Sequence, residues 1–275
     1  MQLSCNELEM TPEIRAMFGS GDVFPQVMAL QGEVFRDVPG RRTLRFEANG
    51  TSYFVKLHHG VGWREIFKNL SSMRLPILSA ATEARAIKRL DELGIPTTPL
   101  VAYGCRGRSP ASLQSFVITR DLGDIISLET LCADWLHNPP ANGFKRRLIR
   151  EVAQLARKFH DNGMNHRDFY ICHLCLDNAE LATGNIHLYL IDLHRVGIRY
   201  EIRPGDRMKD MAALYFSAMD AGLTRRDYFR FLKTYRQKPL RQILDEERNF
   251  WERVSKRARY LHGKFQIKYV ARITS

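Results

Sequence analysis

The chain has 275 residues, 44% of them hydrophobic and 26% charged, an ordinary globular balance whose length allows one large domain or two lobes. A chain of this size can bury most of its apolar surface without covalent staples. No run of about 18 apolar residues is present, which excludes a membrane-spanning helix. The first 19 residues carry Glu7, Glu9 and Glu13 and lack an apolar core, which excludes a secretory signal. Five cysteines (Cys5, Cys105, Cys132, Cys172, Cys175) form an odd, sparse set and predict free thiols in a reducing cytosol. The net charge is +12, and residues 225–275 hold 15 Lys and Arg against 5 Asp and Glu. Such a basic face suits nucleic acid, an anionic membrane surface, another acidic partner, or simply a solvated helix.

In chain order, residues 33–57 predict three strands. E-V-F-R-D-V runs into the Pro39-Gly40 turn, T-L-R-F-E-A runs into Asn49-Gly50, and T-S-Y-F-V-K-L follows. The third strand alternates, with Tyr53, Val55 and Leu57 on one face and Phe54 and Lys56 on the other. Trp63, Ile66, Phe67, Leu70 and Met73 have helical spacing, and their stripe suits core or lobe packing. A second helix over 80–94 carries Glu83, Ile87 and Leu90 along one side and ends at Gly94. Short strands are expected at 101–103 and 115–119. Beyond about residue 121 the pattern becomes helical. Phe144 to His160 places Leu148, Val152, Leu155 and Phe159 on one stripe, and Asn162-Gly163 ends it. Two short strands follow, around 174–176 and 186–191, then helices over 208–221, 224–236 and about 240–262. Thr224 and Asp227 form a capping pair for the second of these. A β-rich part followed by an α-rich part with a small β insert predicts an α+β, bilobal, protein-kinase-like fold. Its N-terminal lobe would span 1–120 and its C-terminal lobe 121–275.

Phosphoryl transfer requires positioning and charge neutralisation more than covalent chemistry. Each part has a candidate here. Lys56 ends an apolar strand, where a cation is costly unless it is paired. Glu83 on the following helix could pair with it, 27 positions on, with Glu65 as the weaker rival. Asp168, in N-H-R-D, follows the long helix through a short turn, as a catalytic aspartate does. His166 packs under that loop, and Arg167 neutralises nearby charge. Asp192 ends the strand L-Y-L-I-D as a metal-holding residue. Asp210 opens the next helix, where an acid either braces the catalytic loop or merely suits the helix dipole.

Three features depart from protein kinases. The Val38–Thr43 turn has only Gly40, with Arg41 and Arg42 beside it to meet phosphate or solvent. Leu193-His194-Arg195 stands after Asp192 instead of Phe-Gly. Most notably, His173 occupies the Asn position of the metal site. Mg²⁺ prefers oxygen ligands and Mn²⁺ tolerates imidazole better, so His173 could ligate the metal, bind a phosphate oxygen directly, or hold a metal-bound water. Cys172-His173-x-Cys175 also suggests zinc. A fourth ligand at proper spacing is absent, and an extended backbone would point the two thiols to opposite faces.

The segments L-Q-G-E-V-F-R, G-R-R-T-L-R-F, Y-F-V-K-L-H-H-G-V-G-W-R-E-I-F-K-N-L, N-H-R-D-F-Y-I-C-H, L-I-D-L-H-R and L-Y-F-S-A-M-D-A-G-L-T-R-R-D resemble the WaaP-type heptose(I) kinases of the lipopolysaccharide core of Gram-negative bacteria. The resemblance covers residues 30 to about 236. It implies an ATP-dependent cytoplasmic enzyme, peripheral at the inner membrane, that phosphorylates the first heptose of a lipid A-linked core precursor. It implies Asp168 as the catalytic residue, and His173 and the Gly-poor turn as ordinary for the family. On this reading Lys56, Glu83, Arg41 and the hinge Arg120, Asp121 and Leu122 serve ATP, and Asp192 with His173 serves Mg²⁺ or Mn²⁺. An acidic protein such as an acyl carrier protein is a possible partner for the tail, and nucleic acid is not expected. The alternatives are a soluble small-molecule or protein kinase of the same fold, or an inactive kinase-like binding module.

Overall fold

A computed structural model describes residues 5–38, 40–59, 79–109 and 112–273, with side chains as far as Ile267. The expected helix at 63–73 and the candidate Glu65 lie outside the described residues. The chain divides into two compact units. The first comprises Met1–Leu93, Thr97–Gly123 and Leu193–Arg195, and the second comprises Gly94–Pro96, Asp124–Asp192 and Val196–Ser275.

The first unit is built on a six-stranded antiparallel sheet. Its strands are β1 (Cys5–Met10), β2 (Glu33–Val38), β3 (Arg41–Ala48), β4 (Thr51–His58), β5 (Leu100–Gly107) and β6 (Gln114–Arg120), in the spatial order β1-β5-β6-β4-β3-β2. The β3–β4 hairpin turns at Asn49-Gly50, where both residues take positive φ (50° and 72°), as the tight connection requires. Alternation along β4 buries Tyr53, Val55 and Leu57, while Phe54 and Lys56 stay partly accessible on the other face. Two short helices, α1 (Pro12–Arg15) and α2 (Val23–Met28), add Ile14, Val23, Phe24 and Val27 to the same core as Leu44, Val55, Phe116 and Ile118. Fully burying each such side chain contributes about 1.5–3 kcal/mol. On α3 (Ala81–Glu92) Glu83, Ile87 and Leu90 are all buried, which matches the periodicity of the sequence.

The edge strand β1 has no sequence signature, because C-N-E-L-E-M exposes most of its side chains and is held by backbone pairing to β5. That pairing corrects the expectation of five free thiols. Glu7 lies opposite Cys105, so Cys5 is its diagonal neighbour, and Cys5 and Cys105 form a disulfide with their Cα atoms 5.7 Å apart. Cys132, Cys172 and Cys175 are free.

The second unit is mainly helical. It contains β7 (Ile125–Ser127), α4 (Leu128–Cys132), α5 (Asn142–Asp161), β8 (Met164–Asn165), β9 (Leu174–Asp177), α6 (Asn178–Ala182), β10 (Leu188–Leu190), β11 (Gly197–Ile198), α7 (Pro204–Ser217), α8 (Arg225–Arg236), α9 (Leu240–Glu246) and α10 (Arg248–Ile273). Small sheets β10-β9-β7 and β11-β8 carry the segments around the candidate loop. Gly163, with φ +74°, makes the turn from α5 into β8, and a Cβ there would lie 1.9 Å from the carbonyl oxygen of Arg199. Thr224 and Asp227 close a capping box on α8. The single helix expected over 240–262 is two helices. They break at Glu247, whose carboxylate takes Arg236 Nη2 at 2.7 Å and Trp251 Nε1 at 3.1 Å. An apolar cavity of about 630 Å³ lies within this unit, lined by Leu148, Val152, Met211, Leu214, Phe231 and Trp251 among others.

Candidate active site

In the first unit, β4 and α3 bring Lys56 Nζ within 2.6 Å of Glu83 Oε1, so the pair read from the sequence forms. Glu83 is buried (5% exposed) and needs that cation, because an unpaired buried carboxylate would be costly. Beside Lys56 lies His58, buried at the end of β4 and opposite Arg41 in the β3–β4 register. Burial, reinforced by the charges of Arg41, Lys56 and His194, pushes the His58 pKa down to about 3. His58 is therefore neutral at physiological pH beside two permanent cations. Arg41 is itself buried, not solvated, and Arg42 Nε lies 3.7 Å from Asp37 on β2.

The residues 120–122, expected at the adenine edge, are partly committed to the fold. The Arg120 amide donates to the Pro99 carbonyl (2.9 Å) and the Asp121 amide to the Ser52 carbonyl (3.0 Å). The Asp121 carboxylate accepts from Arg45 Nε (2.9 Å), Ser52 Oγ (3.0 Å) and the Gly123 amide (3.0 Å), while the Arg120 side chain reaches Glu13 at 3.1 Å. Of the three amides, that of Leu122 makes no backbone hydrogen bond among the described residues.

In the second unit, the loop after β8 is organised by Asp210, which is fully buried on α7. Asp210 Oδ2 accepts the His166 amide at 2.6 Å, and Oδ1 accepts the Arg167 amide at 2.9 Å. Of its two sequence readings, the loop brace is the one the geometry matches. The Arg167 side chain is exposed, and its φ is +71°; Asp192 has φ +60°. Positive φ at a non-glycine residue costs on the order of 1–3 kcal/mol and concentrates at functional sites. Arg167 adjoins Asp168, and Asp192 is itself a candidate carboxylate.

His166 is fully buried. It donates from Nε2 to the Ile191 carbonyl at 3.0 Å, and desolvation lowers its pKa. It therefore ties the Asp168 loop to the strand end that carries Asp192. His166 also stacks on Phe169 and on His173, with ring centroids 5.8 and 5.5 Å away.

His173 has a defined tautomer. Its Nδ1 lies 2.7 Å from the Asp168 carbonyl oxygen, which can only accept, so Nδ1 carries the proton. The other ring nitrogen, Nε2, lies 3.6 Å from Asp192 Oδ2. One nitrogen and one carboxylate oxygen thus converge. This donor pair would suit a divalent cation that tolerates one imidazole and draws its remaining ligands from phosphate and water. Among the described residues there is no group of three or more His, Cys, Asp or Glu that could hold a metal by itself. Zinc fares worse. Residues 171–173 form a 3-10 turn, so the extended backbone that would part the two thiols is not there; zinc is disfavoured instead because burial raises the Cys172 and Cys175 thiols to about 11, away from the thiolates it needs.

Sequence reasoning did not find His160, at the buried end of α5. Its Nε2 donates to Asp210 Oδ2 (3.2 Å), and its Nδ1 accepts from Tyr235 Oη (2.7 Å) on α8. Burial lowers the His160 pKa and raises that of Tyr235 to about 12, so neutral histidine and neutral phenol satisfy the chain. In the sequence, His160 looks like an ordinary basic residue in a helix's last turn.

A sheet unit with a lysine paired to a buried glutamate, and a helical unit with a braced His-Arg-Asp loop and a strand-end aspartate, are the marks of a phosphotransferase of kinase-like fold. Comparison with known proteins narrows this. The lipopolysaccharide kinase (Kdo/WaaP) family profile matches residues 25–235. The lipopolysaccharide core heptose(I) kinase WaaP of Pseudomonas aeruginosa is 44% identical over 260 residues, 94% of this chain and 97% of the relative. The protein of that name from Escherichia coli K12 is 44% identical over 262 residues, 95% and 99% of the two chains. A solved structure of WaaP in complex with acyl carrier protein superposes with a TM-score of 0.82 at 40% identity, covering 93% of this chain and 99% of that one. The chain belongs to the lipopolysaccharide kinase (Kdo/WaaP) family.

Proposed function

We propose that this protein transfers the γ-phosphoryl group of ATP to the first heptose of the lipopolysaccharide inner core, on lipid A-linked substrate at the cytoplasmic face of the inner membrane. The observation that carries the reading is the loop in which Asp210 holds the amides of His166 and Arg167 while His173 joins Asp168 to Asp192. Asp168 orients the heptose hydroxyl and accepts its proton. Lys56 binds the α- and β-phosphates, and Glu83 fixes its position. Asp192 and His173 hold Mg²⁺, or Mn²⁺, which when bound neutralises phosphate charge. Arg41 adds positive charge beside Lys56. Leu122, through its amide, and the carbonyls of Arg120 and Asp121 serve the adenine.

The names of the relatives support heptose as acceptor, and the basic C-terminal region supports an anionic working surface. No helix among the described residues is long and apolar enough to cross a membrane, which is compatible with peripheral attachment. The neighbour solved with acyl carrier protein supports an acidic carrier as a partner here too. The apolar cavity, with Arg248 and Arg259 in its lining, has room for an acyl group.

The test is phosphate mapping of lipopolysaccharide core after incubation with enzyme and labelled ATP. Label on the first heptose, lost in Asp168→Ala, is expected. Label appearing only on soluble sugars or peptides would overturn the substrate, and equal turnover by the variant would overturn the role of Asp168.

A further inference from the structure

The helix α10 presents two different sets of cations. At 3.6 residues per turn, Arg253, Lys256, Arg257, Tyr260, Lys264 and Ile267 fall on one stripe about 100° wide and about 21 Å long. All six are exposed, Tyr260 at 58% and Ile267 at 72%. The opposite face is occupied, since Val254 and Ala258 are buried and His262 Nε2 lies 3.0 Å from Asp220 Oδ2. Arg248 and Arg259 point away from the stripe and line the apolar cavity.

Among the described residues no ion pair ties the four cations of the stripe to a carboxylate, and from Arg253 to Ser275 the sequence contains no Asp or Glu. Lys264 Nζ sits 4.8 Å from the centre of the Tyr260 ring, so cation and aromatic ring share one patch. Basic side chains interleaved with an aromatic and an aliphatic tip suit a plane that is anionic at the surface and apolar just beneath. An acidic protein surface would answer the charges alone and leave Tyr260 and Ile267 without a role. We infer that this stripe of α10 lies flat on an anionic phospholipid surface, with Tyr260 and Ile267 entering the headgroup region. The inference rests on the membrane-facing part of the proposed function and names the surface responsible for it.

The experiment is co-sedimentation of the full chain with vesicles of phosphatidylethanolamine and phosphatidylglycerol at graded salt. Binding should require phosphatidylglycerol and weaken steeply with salt. Lys256→Gln, Arg257→Gln and Lys264→Gln combined should weaken it by about 100-fold, at about fivefold per charge removed. Tyr260→Ala with Ile267→Ala should weaken it about tenfold at every salt concentration, because apolar insertion is not screened. Turnover on detergent-dispersed core should be unchanged in both variants, and unchanged melting would show that they fold. Several results would overturn the inference: wild-type protein that ignores the vesicles, variants that bind them normally, loss of acyl carrier protein capture with vesicle binding intact, or a stripe-dependent change in oligomeric state. If wild-type protein failed to phosphorylate detergent-dispersed core, that would count against the proposed reaction and leave this surface untouched.

Discussion

Lys56 and Asp168 are positioned by different kinds of contact. Lys56 is set by a side-chain ion pair to Glu83, two residues 27 positions apart whose roles depend on their own chemistry. The Asp168 loop is set through its backbone. Asp210 grips two amides, His173 grips the Asp168 carbonyl, and His166 grips that of Ile191. A side-chain pair can be exchanged at little structural cost if both partners go together. A buried acceptor that serves several amides cannot, because each abandoned donor carries its own desolvation penalty. The first arrangement should therefore be mainly functional, and the second both functional and structural.

Substitutions can break this distinction. The largest effect on rate should come from Asp168→Ala, which removes the group proposed to act on the acceptor hydroxyl. Turnover should fall by about 10³-fold with ATP affinity preserved, as read from steady-state rates and ATP titration. Asp210→Ala should come next, costing about 3 kcal/mol or more of stability in denaturant unfolding together with a large loss of turnover. Equal stability with lost turnover would show that the loop keeps its shape without the brace. Replacing Lys56 by Met together with Glu83 by Met should lower turnover by about 10²-fold, yet cost only about 1 kcal/mol in the same unfolding assay. A stability loss as large as that of Asp210→Ala would erase the contrast between the two regions.

Acid should distinguish the histidines by burial. The pKa of His58 is pushed from 6.5 down to about 3 by burial and neighbouring cations. The unfolded chain therefore binds the extra proton first, and the stability is full above pH 6.5 and lost as pH falls toward 3. Between pH 7 and pH 5 this one residue should cost about 2 kcal/mol, which His58→Phe should remove. His160 and His166 shift in the same direction through burial and should add to the slope. The smallest effect is expected for Tyr235→Phe. It removes one hydrogen bond to His160, about 1 kcal/mol, and should lower kcat a few-fold without changing the KM for ATP.

Much of the first unit was legible because its signals are local. Asn49-Gly50 specified the hairpin, and alternation along β4 placed Lys56 on the face away from Tyr53, Val55 and Leu57. The edge strand β1 was not legible, because a strand held by backbone bonds to β5 needs no pattern of its own. The Cys5–Cys105 disulfide followed from that register and was hidden with it. In the second unit, Asp168, His173, Asp192 and Asp210 all stood out by residue type and order. The pair that backs Asp210 did not. His160 and Tyr235 are 75 positions apart and share no spacing rule.

By itself the sequence determined the order of elements, the charge asymmetry toward the C-terminus, the candidate carboxylates and the family. Each of these is written in periodicity, turn residues or short motifs. Only the tertiary structure decided that Glu83 is the partner of Lys56 and that Asp210 braces the loop instead of merely suiting a helix dipole. It also decided that His173 turns Nδ1 to the Asp168 carbonyl and Nε2 to Asp192. Those outcomes depend on which groups are buried together, because a polar atom taken out of water must find its partner wherever the fold provides one.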